Sequence, residues 1–247
     1  MEFSNRLFSY DGTFEGFMCA TVRCISMRIV PRDIRAESDH VVIEAPEEYS
    51  FVRTDYRIAD RMYRYIGLCS SPEVQQLSLD CFLTGLPYRE RDLYLMICRA
   101  IKFGAEVGED FVNPVTQHIQ MAVRDLYREA QTCAAELLFD KEGDLAVTGI
   151  RPRNRILPLM RKMVLSNPEL DDFLVYDDRH KMLFMRSGPE DHILDVSYMK
   201  ASGQELDREE RYRRLWAYFA DGSHIRTLPK LEYRGADALA PMWYIAG

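Results

Sequence analysis

Five basic side chains fall within the stretch 151–162: Arg151, Arg153, Arg155, Arg161 and Lys162, with no acidic residue among them. An arginine fork donates two parallel hydrogen bonds, which suits phosphate oxygens. Asn154–Leu165 reads as a helix, so three of these arginines crowd its start, where the dipole's positive end disfavours cations. A bound anion would relieve that repulsion, helped by the first backbone N–H groups. The competing reading is a solvated basic face paired with acids elsewhere in the chain. Asp11 is a second candidate, as a metal ligand, a general base or only a turn residue, since Asp11-Gly12 is ordinary turn chemistry. Asp177, Asp178, Arg179 and His180 put acid, base and cation together, in a pattern that a hairpin tip also favours. Arg208, Arg211, Arg213 and Arg214 are interleaved with Glu205, Asp207, Glu209 and Glu210, which reads as intrahelical pairing.

Other chemistries find no foothold. Cys19, Cys24, Cys69, Cys81, Cys98 and Cys133 form no Cys-x-x-Cys pair, so neither a structural zinc site nor an iron–sulfur cluster is expected. They read as buried, reduced thiols. His40, His118, His180, His192 and His224 lack the i, i+4 pairing of a helical metal site. There is no Gly-x-Gly-x-x-Gly, P-loop or Gly-x-Ser-x-Gly motif. The expectation is therefore no metal and no cofactor.

These residues must be positioned by a chain of 247 residues, 47% apolar and 29% charged, which can bury a core. No apolar run approaches the ~20 residues of a bilayer span, and no signal peptide is visible, so a cytoplasmic protein with no membrane role is expected. The net charge of −7 argues against indiscriminate nucleic-acid binding. It is uneven: residues 1–150 hold 16 Lys/Arg against 24 Asp/Glu, and residues 151–247 hold 16 against 15. An anion-binding surface is accordingly sought in the C-terminal part.

The patterning predicts a strand at Leu7–Tyr10. A helix capped by Thr13 follows, with a stripe running from Phe14 to Ile29 and a stop at Pro31. His40–Glu44 is a strand candidate. Helices are then expected at Asp55–Leu68, from Ser71-Pro72-Glu73 to about Leu83, at Arg89–Glu106 and from Asn113-Pro114. Ala134–Phe139 and Leu145–Ile150 read as a hairpin around 140–144, and Phe173–Tyr176 with Met182–Met185 as a second. Ile193–Val196 adds a further strand and Glu205–Ala220 a closing helix. The class is α+β: a helical N-terminal half, then a ββαββ(β) unit with a mixed or antiparallel sheet. Residues 1–247 read as one domain, divisible into 1–131 and 132–247.

Tyr10-Asp11-Gly12-Thr13-Phe14-Glu15-Gly16-Phe17 resembles the opening motif of a domain-of-unknown-function family named for DNA metabolism or DNA repair. Its motif residues here are Tyr10, Asp11, Gly12, Phe14 and Gly16. Thr54-Asp55 with Arg57 and Ala59-Asp60-Arg61, Asn113-Pro114-Val115, Tyr127-Arg128-Glu129-Ala130, Ile150–Leu159, Tyr176–His180 and Glu210–Trp216 resemble later family segments. The chain departs from the family at Gln131–Phe139, at Lys162–Ser166 and at the tail Ala240–Gly247, where histidines, arginines or basic and aromatic residues are usual. Some members of that family are encoded beside a radical-SAM protein, and in others the same domain is fused to a uracil-DNA-glycosylase-like domain. The resemblance therefore implies a nucleic-acid-binding accessory protein, with DNA and a radical-SAM protein as partners. Two alternatives stand beside it: a DNA-processing enzyme of glycosylase or nuclease type, with Asp11 or Asp177 as first candidates, and a non-catalytic protein-interaction module.

Overall fold

The computed structural model describes residues 1–37, 49–109, 112–142, 145–167 and 170–196. The strand expected at His40–Glu44, the helix at Glu205–Ala220 and the second arginine cluster lie outside them. The chain forms two compact units, Met1–Asp125 and Leu126–Gly247. Among the described residues, no helix is long and apolar enough to cross a membrane.

The first unit opens with strand β1 (Glu2–Tyr10), helix α1 (Phe14–Ser26) and strand β2 (Ile29–Ala36), with β2 parallel to β1. Strand β3 (Tyr49–Phe51) lies parallel on the other side of β1, giving the order β2-β1-β3. The patterning predicts a mainly helical half here, with a strand at Leu7–Tyr10, which lies within β1, and one helix reaching Ile29 and stopped by Pro31. Instead α1 ends at Ser26, Arg28 takes a left-handed φ of 58°, and Ile29 and Pro31 belong to β2. Proline is tolerated because β2 is an edge strand, where a missing N–H costs no ladder bond.

Four helices follow in order: α2 (Tyr56–Cys69), α3 (Pro72–Leu83), α4 (Arg89–Phe103) and α5 (Pro114–Ala135), with a 3-10 turn at Gly104–Glu109 before the last. Their starts follow from capping chemistry. Asp55 accepts from the N–H groups of Arg57 and Ile58, Ser71 from Val74, and Asn113 from Val115 and Thr116. Pro72 and Pro114 sit at the first helical position, where no amide donor is needed. The core between α1, α3 and the sheet is aromatic: Phe17 stacks on Phe82, and Phe14 meets Phe82 and Tyr63 edge-on.

The second unit is a five-stranded sheet of order β4-β5-β6-β7-β8. Its strands are β4 (Asp140–Glu142), β5 (Leu145–Ile150), β6 (Phe173–Asp177), β7 (Met182–Ser187) and β8 (Glu190–Asp195). Helix α6 (Leu157–Leu165) carries the chain from β5 to the parallel β6, and every other pairing is antiparallel. The class is α+β, as expected. One local reading changes: Ala134 and Ala135 end α5, and β4 occupies part of the expected turn. The run Ala134–Phe139 is apolar enough for a strand, but α5's own hydrogen bonds reach into it. Strand β6 is buried on both faces, as a central strand next to a crossover helix must be. One face packs Leu174 and Tyr176 with Val147, Leu183, Met185 and Leu194.

Candidate functional site

The carboxyl ends of β5 and β6, the two parallel strands, lie side by side, the usual place for a site in an open α/β sheet. Segment 151–155 leaves β5 there, and turn 178–181 leaves β6. They are joined at the backbone: the N–H of Asp178 donates to the carbonyl of Ile150 at 3.0 Å.

Segment 151–155 alternates. Arg151 and Arg153 are exposed, whereas Pro152 and Asn154 are buried. The conformation is held from α5, where the Glu129 carboxylate accepts from the Arg153 N–H at 2.6 Å, the Asn154 N–H at 3.0 Å and Asn154 Nδ2 at 2.7 Å. A carboxylate of the chain itself thus fills the place proposed for an external anion. Helix α6 also starts later than the sequence suggested, at Leu157 rather than Asn154, because the Asn154 side chain is engaged by Glu129 instead of capping the helix. The arginines precede the helix rather than occupying its first turn, so the dipole argument does not apply to them. Arg161, on α6, forms a two-pronged ion pair with Asp191 of β8, at 2.5 and 3.0 Å. Lys162 is exposed on the same helix. Arg155 is half-buried.

The β6–β7 turn brings the second candidate set to the same edge. Asp177 is fully buried, and its Oδ1 accepts from the N–H groups of Arg179 and His180, each at 3.0 Å. Its Oδ2 lies 2.7 Å from Nδ1 of His180, whose side chain keeps 15% exposure. With the carboxylate as acceptor, Nδ1 carries the proton and Nε2 is the ring nitrogen left for other chemistry. Asp178 pairs instead with Lys181 at 2.9 Å, at the surface. Cys133, on α5, lies within electrostatic reach of both Glu129 and Asp177. Burial first, then these acids and Glu136, push its thiol up to about 11, so it is not an activated nucleophile.

The first unit's motif resolves into local architecture. Asp11 Oδ1 accepts from the Thr13 N–H at 3.0 Å and the Thr13 hydroxyl at 2.6 Å, and its Oδ2 accepts from the Thr54 hydroxyl at 2.7 Å. Thr13 in turn caps α1 through the Gly16 N–H. Gly12 has a φ of 83°, which glycine adopts without a steric cost. A Cβ on Gly16 would stand 2.2 Å from Asp11 Oδ1, so any larger residue would have to displace the carboxylate that ties the turn. Tyr10 is buried and donates to Glu90 at 2.9 Å, and Phe14 is core. The spacing of this motif is what a tight strand-to-helix turn demands. Glu15, beside it, is held above the usual carboxylate range, chiefly by burial and also by the charge of Asp11.

Burial likewise raises the thiols of Cys19, Cys24, Cys81 and Cys98, those of Cys24 and Cys81 to about 12. Among the described residues, no group of three His, Cys, Asp or Glu side chains is arranged to hold a metal ion. Sequence reasoning found Asp177, His180 and the arginines, but missed the role of Glu129, whose helical neighbours give no hint that its partners lie 24 and 25 residues further on.

No curated protein matches the chain. A family model does match, over residues 87–243, which takes in the β5–β6 edge and leaves out the Tyr10–Phe17 motif. The chain therefore belongs to the family described as a domain of unknown function, DUF4130.

Proposed function

We propose that the protein binds nucleic acid in DNA metabolism, with Arg151 and Arg153 contacting phosphates. The observation that carries the reading is their exposure from a segment whose backbone amides are already held by Glu129. An anion at this edge is then met by guanidinium side chains on a fixed frame. Little backbone ordering entropy is then left for binding to overcome, the cost being that of the two arginine side chains. The sequence resemblance extends the reading to a cytoplasmic accessory protein acting with a radical-SAM partner. The test is binding of fluorescent single- and double-stranded DNA across a salt series, wild type beside Arg151→Ala/Arg153→Ala. Loss of two phosphate contacts should lower the slope of log K against log salt by about 1.4 on single strands and 1.8 on duplex. A wild type that binds no DNA at low salt, alone or with the partner, refutes the reading and favours a protein-interaction module.

A second reading, a DNA-processing enzyme, is favoured by the buried Asp177 oriented on the partly exposed His180. In it, His180 Nε2 takes a proton from water as the water oxygen bonds to phosphorus. The bond from phosphorus to the leaving sugar oxygen breaks, and that oxygen takes a proton from solvent. Cleavage of an oligonucleotide panel that disappears in both His180→Ala and His180→Gln supports this reading. Cleavage unchanged in both, or absent from the wild type, removes it.

A further inference from the structure

Helix α2 carries a surface that the charge balance of the whole chain conceals. Ala59, Met62 and Ile66 form its buried stripe. The opposite side presents Arg57, Arg61 and Arg64, at i, i+4 and i+7, all exposed. By helical rise, Arg57 and Arg61 stand about 6 Å apart along the axis, and Arg64 lies on the next turn. Exposed Arg53 stands just before the helix. Among the described residues, neither Arg57 nor Arg61 pairs with an acid. Arg64 meets Asp60 at 3.0 Å, but both partners are more than half exposed, so that pair is worth little. Like charges at i, i+4 repel by a few tenths of a kcal/mol, and the exposed Asp60 is the one acid that α2 sets beside the three arginines.

The same face exposes apolar and aromatic surface. Leu68 is 84% exposed and lies in line with the arginines, and Tyr65 and Ile58, 47% and 41% exposed, run along one flank. A tyrosine ring beside a row of guanidinium groups is the combination that recognises a single strand: phosphates take the cations and an unstacked base takes the ring. A duplex, with its bases stacked inside, would use the arginines and leave Tyr65 idle.

We propose that this face of α2 is a binding surface for single-stranded nucleic acid, with Arg57, Arg61 and Arg64 on successive phosphates and Tyr65 stacked on a base. The surface rests on the nucleic-acid reading of the protein but not on segment 151–155.

The experiment uses the full chain and a fluorescent 20-residue oligothymidylate across a salt series. Arg57→Gln/Arg61→Gln/Arg64→Gln and Tyr65→Ala are compared with Arg151→Ala/Arg153→Ala, and thermal melting verifies that each variant is folded. The triple variant should lower the salt slope by about 2. Tyr65→Ala should weaken binding about fivefold or more at fixed salt. Wild-type binding that these α2 variants leave unchanged overturns the proposal, whatever Arg151→Ala/Arg153→Ala does. Loss in the α2 variants with full binding by Arg151→Ala/Arg153→Ala upholds the α2 surface and removes the assignment to segment 151–155. No binding by the wild type overturns both. Poly-glutamate bound through the same arginines, with no effect of Tyr65→Ala on the oligonucleotide, makes the face a dock for an acidic protein segment and overturns the proposal.

Discussion

Glu129 and Asn154 are joined twice: the carboxylate on α5 accepts both the main-chain N–H of Asn154, at 3.0 Å, and its side-chain amide, at 2.7 Å. With the Arg153 N–H added, one acid fixes the whole exit from β5. Glu129→Ala leaves three donors, two of them on the nearly buried Asn154, without their acceptor. Unsatisfied buried donors and lost charged hydrogen bonds predict a stability loss of about 2–3 kcal/mol, read by urea denaturation. Glu129→Gln should lose less, since one amide oxygen can still accept. An unchanged denaturation midpoint in Glu129→Ala would show that the segment is held by other means.

Gly16→Ala tests the β1–α1 turn. Alanine favours a helix over glycine by about 1 kcal/mol. Here its Cβ would fall 2.2 Å from Asp11 Oδ1 and 2.9 Å from Thr54 Oγ1, both of which are tied into the turn. The clash should win, with a net loss of about 1–3 kcal/mol. Asp11→Ala should partly rescue it by removing the obstructing oxygen, which a double-mutant cycle would measure.

The Asp177–His180 pair makes a structural prediction independent of catalysis. Asp177→Ala should cost about 2–4 kcal/mol, because the turn's two N–H groups and the imidazole lose their common acceptor at a fully buried position. His180→Ala should cost less, about 1 kcal/mol, since the turn's amides keep Asp177. Equal losses in the two variants would mean that the imidazole, rather than the amides, holds the turn.

Glu15 sets a pH dependence. Its folded-state pKa lies above the unfolded one, so in this window the native state binds more protons. Its contribution is therefore most favourable below the unfolded value, and stability declines as pH rises through the folded value. Glu15→Gln should be the more stable protein at neutral pH, with the difference shrinking once both states are protonated. Thermal melts of both proteins from pH 3.5 to 7 would display this convergence, and parallel curves would contradict it.

Much of the fold is written locally. The capping residues Thr13, Asp55, Ser71 and Asn113, and the prolines behind two of them, mark helix starts that need only backbone chemistry. The hairpin of β6 and β7 follows from apolar strands around a polar turn. The α+β class and the family resemblance were both legible, the latter now standing as membership of DUF4130. The i, i+4, i+7 spacing of Arg57, Arg61 and Arg64 is in the sequence, but their exposure on the side of α2 opposite Ala59, Met62 and Ile66 depends on how the helix packs.

What tertiary structure alone decided is how distant segments meet. The sequence determined that Pro31 could not continue a helix. That Ile29–Ala36 instead became an edge strand depended on β1 being there to pair with it. The sequence placed five cations in residues 151–162. The fold sorted them, giving Arg161 to Asp191, presenting Arg151 and Arg153 to solvent and tying the intervening backbone to Glu129. Capping and periodicity act over a few residues and can be read from them. A charge finds its partner through space, and only the packed sheet and helices bring residues 24 to 30 positions apart within hydrogen-bonding distance.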